Sequence, residues 1–405
     1  MLKAPTIPIT ISRPAHLRRA NAQNLLRLIQ QQSPCSRADL VRQSGLSAPT
    51  ITSCVALLEE IGLVEAIGEG PSNGGRPPEM LRFNAAHGSV AAADIGGTRL
   101  RMMLADLNGN EMMQWSQLLR ASEKTPAGIC ALAQEGLEYM VKAAGVPLSH
   151  VLHLTAGAPG ITDVDAGVVI SAPNLKGWEE VPLKEMLEEQ LGIPVNIEND
   201  TNLAAVGEYQ RGIVREAETF VFLALGTGAG AGIFLNGRLY HGARWSAGEI
   251  GYFGVSGRKR EPMRIREAGQ LESVIGGAGI ETRWRQLLER GKTTPAEDKL
   301  RLRAPQILDL AAEGNRTARK VAQETASLLA DAVADIILLL NPEAVVLGGG
   351  VGSHPELCRL TRDALKLHEL AHDVAILSSA LGTQAQLYGG VFTSLEAARD
   401  LLLSA

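Results

Sequence analysis

The chain has 405 residues, of which 45% are hydrophobic and 20% charged, so its composition excludes a disordered chain and its length predicts two or three globular domains. The net charge of −5 is unevenly spread, because residues 1–58 contain seven Lys or Arg residues and a single acidic residue, Asp39. The four cysteines lie far apart, and the longest apolar run, near Ile336–Leu340, is much shorter than the ~20 residues that span a bilayer, which excludes a disulfide scaffold and a membrane-spanning protein.

Two helices are predicted at the start of the chain. Apolar residues at helical spacing predict the first over His16–Gln30, and Pro34 then breaks the pattern. Ser36 is a good N-cap for a second helix over Arg37–Ser44, because its hydroxyl can accept a hydrogen bond from a backbone N–H of the first turn. Gly45 then supplies the left-handed turn with which many helices end.

A third helix and a hairpin follow. Ser47 is a suitable N-cap for the third helix, and Pro49 stands near its first turn, where the missing N–H of proline is harmless. Gly62–Val64 and Met80–Phe83 contain apolar runs that predict two strands. The glycine-rich segment Gly68–Pro78 lies between them, and we interpret it as the wing of a winged helix.

Two helices joined by a glycine turn are typical of the helix-turn-helix, whose second helix enters the major groove of DNA. The basic balance of residues 1–58 favours a nucleic-acid partner, and an arginine in an extended wing is suited to a narrow minor groove. Two alternatives remain open at this point: a helical hairpin that binds no DNA, and a wing that is only an interdomain linker. The candidate DNA-binding residues are Ser36, Arg37, Ser47, Ala48, Thr50, Thr52, Ser53 and Arg76.

Three apolar strands further along the chain each lead into a glycine-rich loop. They are predicted over Val90–Ala93, Phe220–Leu225 and Ala344–Leu347. Glycines there allow backbone N–H groups to approach a phosphate, and we expect the carboxylate of Asp94 to be free to hold Mg²⁺ through water. Three such elements are typical of the two-lobed ATPase architecture of actin, hexokinase and Hsp70, in which the nucleotide lies between the lobes. The candidate nucleotide-binding residues are Asp94, Gly96, Gly97, Thr98, Gly226, Thr227, Gly228, Gly348 and Gly349.

A carboxylate at the mouth of another strand is the candidate catalytic group. Asn199 and Asp200 follow the strand Val195–Ile197, at a position from which side chains reach into a cleft. Asp200 can accept the proton of a hydroxyl that attacks the γ-phosphate of a nucleotide. Alternatively, this pair of residues caps a helix over Thr201–Tyr209, a role that is compatible with ligand binding.

The ordered set of motifs resembles the ROK family, which unites sugar-responsive repressors that carry a winged helix with sugar kinases that lack one. The similarity extends over nearly the whole chain. It implies an α/β fold, namely a two-lobed, actin-like (ribonuclease H-like) sugar-kinase domain preceded by an all-α/winged-helix DNA-binding domain. The matching stretches are Asp94–Thr98, Gly157–Gly160, Asn174-Leu175 with Trp178, Glu198–Asn202, Gly226–Gly232, Gly248–Gly251, Asn341-Pro342 and Gly348–Gly350.

The resemblance also implies domain boundaries and a sugar site. The winged helix-turn-helix domain is expected over 13–88, the first lobe over 89–200 together with a C-terminal helix over 385–405, and the second lobe over 201–384. In a kinase of this family Asp200 would be the catalytic base. The implied sugar-binding residues are Asn174, Asn199, Asp200, Glu249, Tyr252 and Glu272.

The chain departs from the family at a zinc site near the sugar. Family members usually place a His just after a Gly-Glu-x-Gly stretch and three cysteines in a Cys-x-Cys-Gly-x-x-Gly-Cys-x-Glu run. Here the His position is Tyr252, and the cysteine positions are Met263, Ile265 and Gln270. Zinc requires thiolate, imidazole or carboxylate ligands, so we predict that zinc is absent and that no metal site is present. The basic segment Ser256–Glu267 is interpreted as a solvated loop, or alternatively as a contact to phosphate or DNA.

These features favour a sugar-responsive DNA-binding regulator, acting as a repressor, over the alternative of an ATP-dependent kinase for a hexose or N-acetylhexosamine. The expected partners are a double-stranded DNA operator and a small sugar or sugar-phosphate effector, with no membrane. Binding to two half-sites implies a homodimer or a homotetramer. No cofactor is expected for DNA binding, and ATP and Mg²⁺ would be needed only if kinase activity is retained. The separated cysteines and the lack of a signal peptide pattern predict a cytoplasmic protein.

Overall fold

The computed structural model describes residues 14–71, 77–173, 175–260, 262–264, 267–290, 300–369 and 373–404. Their contacts define two compact units. The first comprises the described residues of Met1–Val90, Ala105–Asn110 and Leu395–Ala405, and the second comprises those of Ala91–Leu104 and Glu111–Ser394. No helix within the described ranges is long and apolar enough to cross a membrane.

The first unit contains the three helices and the hairpin predicted from the sequence. Ser36 caps the second helix, because its hydroxyl accepts a hydrogen bond from the backbone N–H of Asp39, and Gly45 ends that helix at φ 67°. The structure confirms the helix over Arg37–Ser44, but the first hairpin strand begins later than predicted because Gly62 turns the chain at φ 76°. The elements in chain order are α1 (Pro14–Gln32), β1 (Cys35–Ser36), α2 (Arg37–Ser44), α3 (Ala48–Glu60), β2 (Val64–Glu69) and β3 (Glu79–Phe83).

A small apolar core holds the first unit together. Leu26 of α1, Leu40 of α2 and Leu58 of α3 are buried. Burial of a leucine side chain contributes roughly 1.5–3 kcal/mol, so this interior fixes the three helices against one another. Strand β1 was not predicted, because two residues carry no periodic signal. It pairs with β3 and completes a three-stranded sheet of order β1-β3-β2.

The rest of the chain is built around two five-stranded sheets and a smaller sheet of three strands. The strands are β4 (Ser89–Ile95), β5 (Arg99–Asp106), β6 (Glu111–Leu118), β7 (Val151–Ala158), β8 (Ile161–Asp163), β9 (Val168–Ser171), β10 (Glu179–Val181), β11 (Val195–Asn199), β12 (Phe220–Leu225), β13 (Ala229–Leu235), β14 (Arg238–Leu239), β15 (Ala344–Gly348) and β16 (Ala375–Ser378). The five-stranded sheets have the orders β11-β7-β4-β5-β6 and β14-β13-β12-β15-β16, and the smaller sheet has the order β10-β9-β8. The helices are α4 (Pro126–Ala144), α5 (Leu183–Leu191), α6 (Asp200–Gln210), α7 (Glu272–Ile275), α8 (Gly277–Glu289), α9 (Ala304–Ala312), α10 (Arg316–Leu340), α11 (Gly349–Gly352), α12 (Pro355–Leu365) and α13 (Ala385–Ser404).

Parallel strand pairs bring the functional loops to a common edge of each sheet. Strands β11 and β7 are parallel, with Asn199 opposite Ala158, and β12 and β15 are parallel, with Ala224 opposite Gly348. Because parallel strands end at the same edge, the loops that follow them lie side by side. Strands β12 and β15 are buried along nearly their whole length and have continuous apolar sequences, which is why these two could be predicted.

The predicted strands before the glycine-rich loops are confirmed as β4, β12 and β15. Strand β4 continues to Ile95, so Asp94 belongs to the strand rather than to the loop. The C-terminal helix, which we assigned to the first lobe, is α13, and its residues from Leu395 onward belong to the unit that contains the winged helix. The boundary between the two lobes at residue 200 stays a prediction.

Candidate functional site

A cleft of about 290 Å³ in the second unit brings together most of the predicted ligand-binding residues. The glycine-rich loops after β4, β12 and β15 line it, together with the residues at the end of β11. Of the described candidates, Asp94, Thr98 and Gly348 do not line the cleft, and Asn174 lies outside the described residues. The predicted residues that line it are Gly96, Gly97, Asn199, Asp200, Gly226, Thr227, Gly228, Glu249, Tyr252, Glu272 and Gly349.

Asn199 and Asp200 stand where β11 passes into α6. Asn199 caps the helix, because its Oδ1 accepts hydrogen bonds from the backbone N–H of Thr201 at 2.9 Å and of Asn202 at 3.0 Å. Its Nδ2 donates to the carbonyl oxygen of Gly160 at 2.8 Å. The predicted cap is therefore Asn199, and Asp200 follows it as the first residue of the helix and lines the cleft.

Three carboxyl groups line the cleft close to one another. Burial raises the pKa of Asp200 to about 7, and the nearby charge of Asp94 adds to this rise. Burial also raises the pKa of Glu249 to about 7, with further contributions from Asp200 and Glu272. The pKa of Glu272 is raised by burial as well. At neutral pH Asp200 and Glu249 are partly protonated, so they can both donate and accept hydrogen bonds, as the hydroxyl groups of a sugar require.

All the charged side chains that line the cleft, among the described residues, are acidic. Its acidic side chains are Asp200, Glu249, Glu267 and Glu272, and none of the described residues that line it is Lys, Arg or His. A phosphate group bound here would meet carboxylates without a cationic partner, which is unfavourable in a partly desolvated site. The lining is therefore suited to a neutral polyhydroxyl ligand.

The carboxylate of Asp94 has a partner within the protein. Arg101 of β5 donates to Asp94 Oδ2 from Nε at 2.9 Å and from Nη2 at 2.6 Å. A further N–H of Arg101, on Nη1, donates to the carbonyl oxygen of Thr383. Burial raises the pKa of Asp94, and the charge of Arg101 opposes this rise. The expectation of a free carboxylate is therefore wrong, because the guanidinium neutralises it and engages one of its oxygens. The sequence did not point to Arg101, which belongs to no motif.

A buried acidic residue that was not predicted supports the end of β11. Oε1 of Glu198 accepts hydrogen bonds from the backbone N–H of Asn199 at 2.8 Å and from Nδ2 of Asn202 at 2.9 Å. Its Oε2 lies 2.7 Å from Nε2 of His241, and this hydrogen bond raises the pKa of His241. The pair ties the segment before Glu249 to the strand that carries Asn199, so it holds two parts of the cleft lining together.

Gly349 shows why the loop after β15 requires glycine. Its φ is 79°, in the left-handed region that L residues with side chains rarely adopt. A Cβ atom at this position would also overlap the carbonyl oxygen of Leu225, the last residue of β12. The close approach of these two loops therefore depends on the absence of a side chain.

Helix α3 has the form of a recognition helix. One face is buried in the core of the first unit, and the opposite face carries small polar or apolar side chains that are accessible to solvent. Small side chains allow a helix to approach the bases in the major groove closely. Arg76, the predicted contact in the wing, lies outside the described residues. The predicted contacts that are wholly or partly exposed are Ser47, Ala48, Thr50, Thr52 and Ser53.

Two other predicted DNA contacts have roles within the protein. The side chain of Ser36 is buried, and its hydroxyl donates to Oδ2 of Asp39 at 2.7 Å in a capping box. Arg37 forms ion pairs with Glu59 and Glu79. Both side chains are engaged within the protein, and their contact with DNA stays a prediction.

No group of three or more His, Cys, Asp or Glu side chains in the described part of the chain is arranged to hold a metal ion. The four cysteines are buried and form no disulfide. The absence of zinc stays a prediction.

Comparison with known proteins adds an independent line of information. The profile of the ROK family matches residues 90–395, and that of winged helix-turn-helix DNA-binding domains matches residues 18–65. The xylose repressor of Caldicellulosiruptor bescii is 27% identical over 344 residues, which cover 84% of this chain and 86% of that protein. The glucokinase of Halalkalibacterium halodurans is 30% identical over 309 residues, which cover 73% of this chain and 92% of that enzyme.

Among solved structures, the crystal structure of a ROK family transcriptional regulator, a homologue of the E. coli MLC protein, matches with a TM-score of 0.81 at 24% sequence identity. The match covers 96% of this chain and 98% of that chain, so the fold is shared from the winged helix to the C-terminal helix. The ROK profile includes both five-stranded sheets and the cleft, which is the actin-like sugar-kinase fold. The chain therefore belongs to the ROK family, and within it combines the ROK domain with a winged helix-turn-helix.

Proposed function

We propose that this protein is a sugar-responsive, DNA-binding transcriptional regulator that acts as a repressor in the cytoplasm. One observation carries the proposal: a single chain joins a helix of recognition type, with a small and accessible polar face, to a ROK domain whose cleft is lined by hydrogen-bonding groups. The name of the relative from Caldicellulosiruptor bescii, xylose repressor, supports the same function.

The effector is a neutral sugar rather than a sugar phosphate. The carboxyl groups of Asp200, Glu249 and Glu272, with Asn199 beside them, hydrogen-bond its hydroxyl groups. The cleft lining supports this choice, because it offers several acids and, among the described residues, no cation for a phosphate. A bound hydroxyl that both donates and accepts matches carboxyl groups whose pKa lies near 7.

A second candidate function, ATP-dependent phosphorylation of the sugar, is favoured by Asp200. Its carboxyl group lines the cleft and has a pKa of about 7, as a general base requires. Phosphoryl transfer also requires Mg²⁺, which binds anionic oxygens and water. Arg101 neutralises the carboxylate of Asp94, so the residue that was expected to hold Mg²⁺ through water is engaged within the protein. We therefore include no phosphoryl transfer in the proposed function.

Sugar binding changes DNA binding only if the sugar has different affinities for two states of the protein. Closure of the two lobes of the ROK domain around the sugar supplies these states. A homodimer presents two copies of α3 to half-sites about one DNA turn, roughly 34 Å, apart. In this scheme the sugar biases the protein towards the state whose two recognition helices no longer match the operator spacing.

The test uses the full-length protein with DNA fragments from upstream of its own gene. We expect at least one fragment to be retarded in a gel at low salt, and a neutral sugar from a panel of pentoses, hexoses and N-acetylhexosamines to change that retardation. The corresponding sugar phosphates should have no effect. A coupled assay of ADP release over the same panel should show no more turnover than Asp200→Asn. A lack of DNA binding contradicts the regulator, and ADP release that Asp200→Asn abolishes supports the kinase instead.

A further inference from the structure

The loop over residues 252–271 connects two parts of the cleft lining, Glu249 before it and Glu272 after it. In ROK proteins this is the loop that zinc holds, according to the motif described above. Of the described side chains at the zinc positions, a phenol stands at Tyr252, a thioether at Met263 and a carboxamide at Gln270. These groups do not fit zinc, which takes thiolate, imidazole or carboxylate ligands. The loop must therefore be held in another way.

Tyr252 makes the first contacts across the loop. Its hydroxyl lies 3.2 Å from the carbonyl oxygen of Arg264 and 3.1 Å from that of Glu267, and it donates its proton between them. Burial raises the pKa of Tyr252, and the charges of nearby glutamates add to the rise, so the phenol stays protonated and able to donate. The start of the loop is thus bonded to the backbone of its later half.

Gln270 makes the complementary contacts from the other end of the loop. Its Nε2 donates to the carbonyl oxygen of Lys259 at 2.9 Å, and its Oε1 accepts a hydrogen bond from the backbone N–H of Val255 at 3.2 Å. Both the amide nitrogen and the amide oxygen of Gln270 therefore bond to the first half of the loop. Ser273 Oγ donates to the carbonyl oxygen of Gln270 at 2.8 Å and anchors this residue to α7, the helix that begins at Glu272.

The two ends of the loop also touch directly. A Cβ atom at Gly269 would overlap the carbonyl oxygen of Gly251, so the backbone near the end of the loop packs against the backbone just before it. Gly251 and Gly269 directly precede Tyr252 and Gln270. Two side chains and one close backbone contact thus join the same two segments that a zinc ion would join.

We propose that Tyr252 and Gln270 form a hydrogen-bonded staple that replaces zinc in closing the 252–271 loop and so positions Glu272 at the cleft. Two of the positions that supply zinc ligands in the family here supply hydrogen-bonding groups that cross the loop. The staple holds the loop without metal, so chelators and zinc have no effect on it. It concerns the loop alone and is independent of DNA binding, so its failure would leave the proposed regulatory function in place.

Hydrogen–deuterium exchange of the full-length protein tests the staple. The double variant Tyr252→Phe/Gln270→Leu removes the three side-chain donors and acceptors and keeps similar side-chain volumes. Peptides that cover residues 253–260 should exchange roughly 25-fold faster than in wild type, since the variant loses both bonds of Gln270 to this segment and each is worth roughly a fivefold change in the opening equilibrium. Tyr139→Phe, a matched change at an exposed tyrosine of α4, should leave this exchange unchanged.

Two further measurements separate a staple from a metal site and from a general loss of stability. Addition of EDTA or of zinc chloride to wild type should not alter the exchange of residues 253–260. Labelling of Glu272 by a water-soluble carbodiimide should increase in the double variant, while the exchange of the strands β12 and β15 stays as in wild type. Unchanged loop exchange in the double variant, or wild-type exchange that responds to EDTA or zinc, would overturn the proposal.

Discussion

The ion pair between Arg101 and Asp94 yields the sharpest quantitative prediction. The side chain of Asp94 is 8% exposed and that of Arg101 is 23% exposed, so neither charge is fully screened by water. In Arg101→Met the carboxylate loses its cation, and at a separation of ~4 Å and an effective dielectric constant of ~20 that attraction amounts to about 4 kcal/mol. Breaking a buried pair from one side typically costs about 3–5 kcal/mol, which agrees.

Protonation of Asp94 limits this loss and makes it depend on pH. Removal of Arg101 raises the pKa of Asp94 further above the ~3.9 of an unfolded aspartate, so the variant loses stability as pH rises from that value. Since one pKa unit is 1.36 kcal/mol, the charge contribution cannot exceed about 4 kcal/mol at pH 7 or about 1.5 kcal/mol at pH 5. We expect Arg101→Met to lower the free energy of unfolding by about 3 kcal/mol at pH 7 and by about half of that or less at pH 5.

Urea unfolding followed by tryptophan fluorescence measures this loss, because all four tryptophans lie within residues 111–394 of the second unit. The control is the double variant Arg101→Met/Asp94→Asn, in which no buried charge remains. It should regain most of the stability at pH 7. Equal losses of unfolding free energy at the two pH values, or a double variant less stable than Arg101→Met, would show that an unpaired buried charge does not cause the loss.

Three further predictions concern the cap, the histidine and the glycine loop. Ser36→Ala should destabilise the first unit by about 1–2 kcal/mol in a circular-dichroism melt and leave the DNA affinity of the folded protein unchanged; a selective loss of DNA affinity would mean that Ser36 contacts DNA. The pKa of His241 is raised, so its bond to Glu198 contributes fully to stability below pH ~6.5, and this contribution is lost as pH rises through the raised pKa. His241→Gln should therefore lower the free energy of unfolding more at pH 6 than at pH 9. Equal losses at the two pH values would contradict this prediction. Gly349→Ala should lower the free energy of unfolding in urea by more than about 2 kcal/mol or prevent folding. Gly97→Ala, at a position with open space for a Cβ atom, should be close to neutral. Similar effects at the two sites would count against the contact between the loop at Gly349 and Leu225.

Local signals made much of the first unit predictable. The cap at Ser36 and the left-handed turn at Gly45 involve residues within a few positions of each other, so their chemistry is visible in the sequence. The first strand of the hairpin was predicted to begin at Gly62 but begins at Val64, because Gly62 extends the turn after α3. The ion pairs of Arg37 were not predicted, because its partner Glu79 is 42 residues away in the chain.

In the cleft, too, residues with local signals were predictable and residues with distant partners were not. Apolar parallel strands with glycine after them identified the loops, and Asn199 could be read as a cap because its partners follow it directly. Arg101 and His241 were not identified, because each acts on a residue of another strand and neither position has a pattern of its own. Tyr252 was predicted as a lost zinc ligand and as a sugar-binding residue, but its bonds to the far side of the loop have no sequence signal.

In the proposed function, sugar binding in the ROK domain controls DNA binding through α3. Fluorescence anisotropy measures this coupling on a labelled fragment from upstream of the gene, titrated with full-length protein with and without the neutral sugar that gives the largest thermal shift. Ser53→Glu places a negative charge on the exposed face of α3, and Ser149→Glu makes the same change at an exposed turn elsewhere. We predict that sugar changes the DNA dissociation constant at least about fivefold, that Ser53→Glu weakens DNA binding at least about tenfold, and that Ser149→Glu behaves as wild type. DNA affinity that ignores every sugar, or that Ser53→Glu leaves unchanged, would contradict the account.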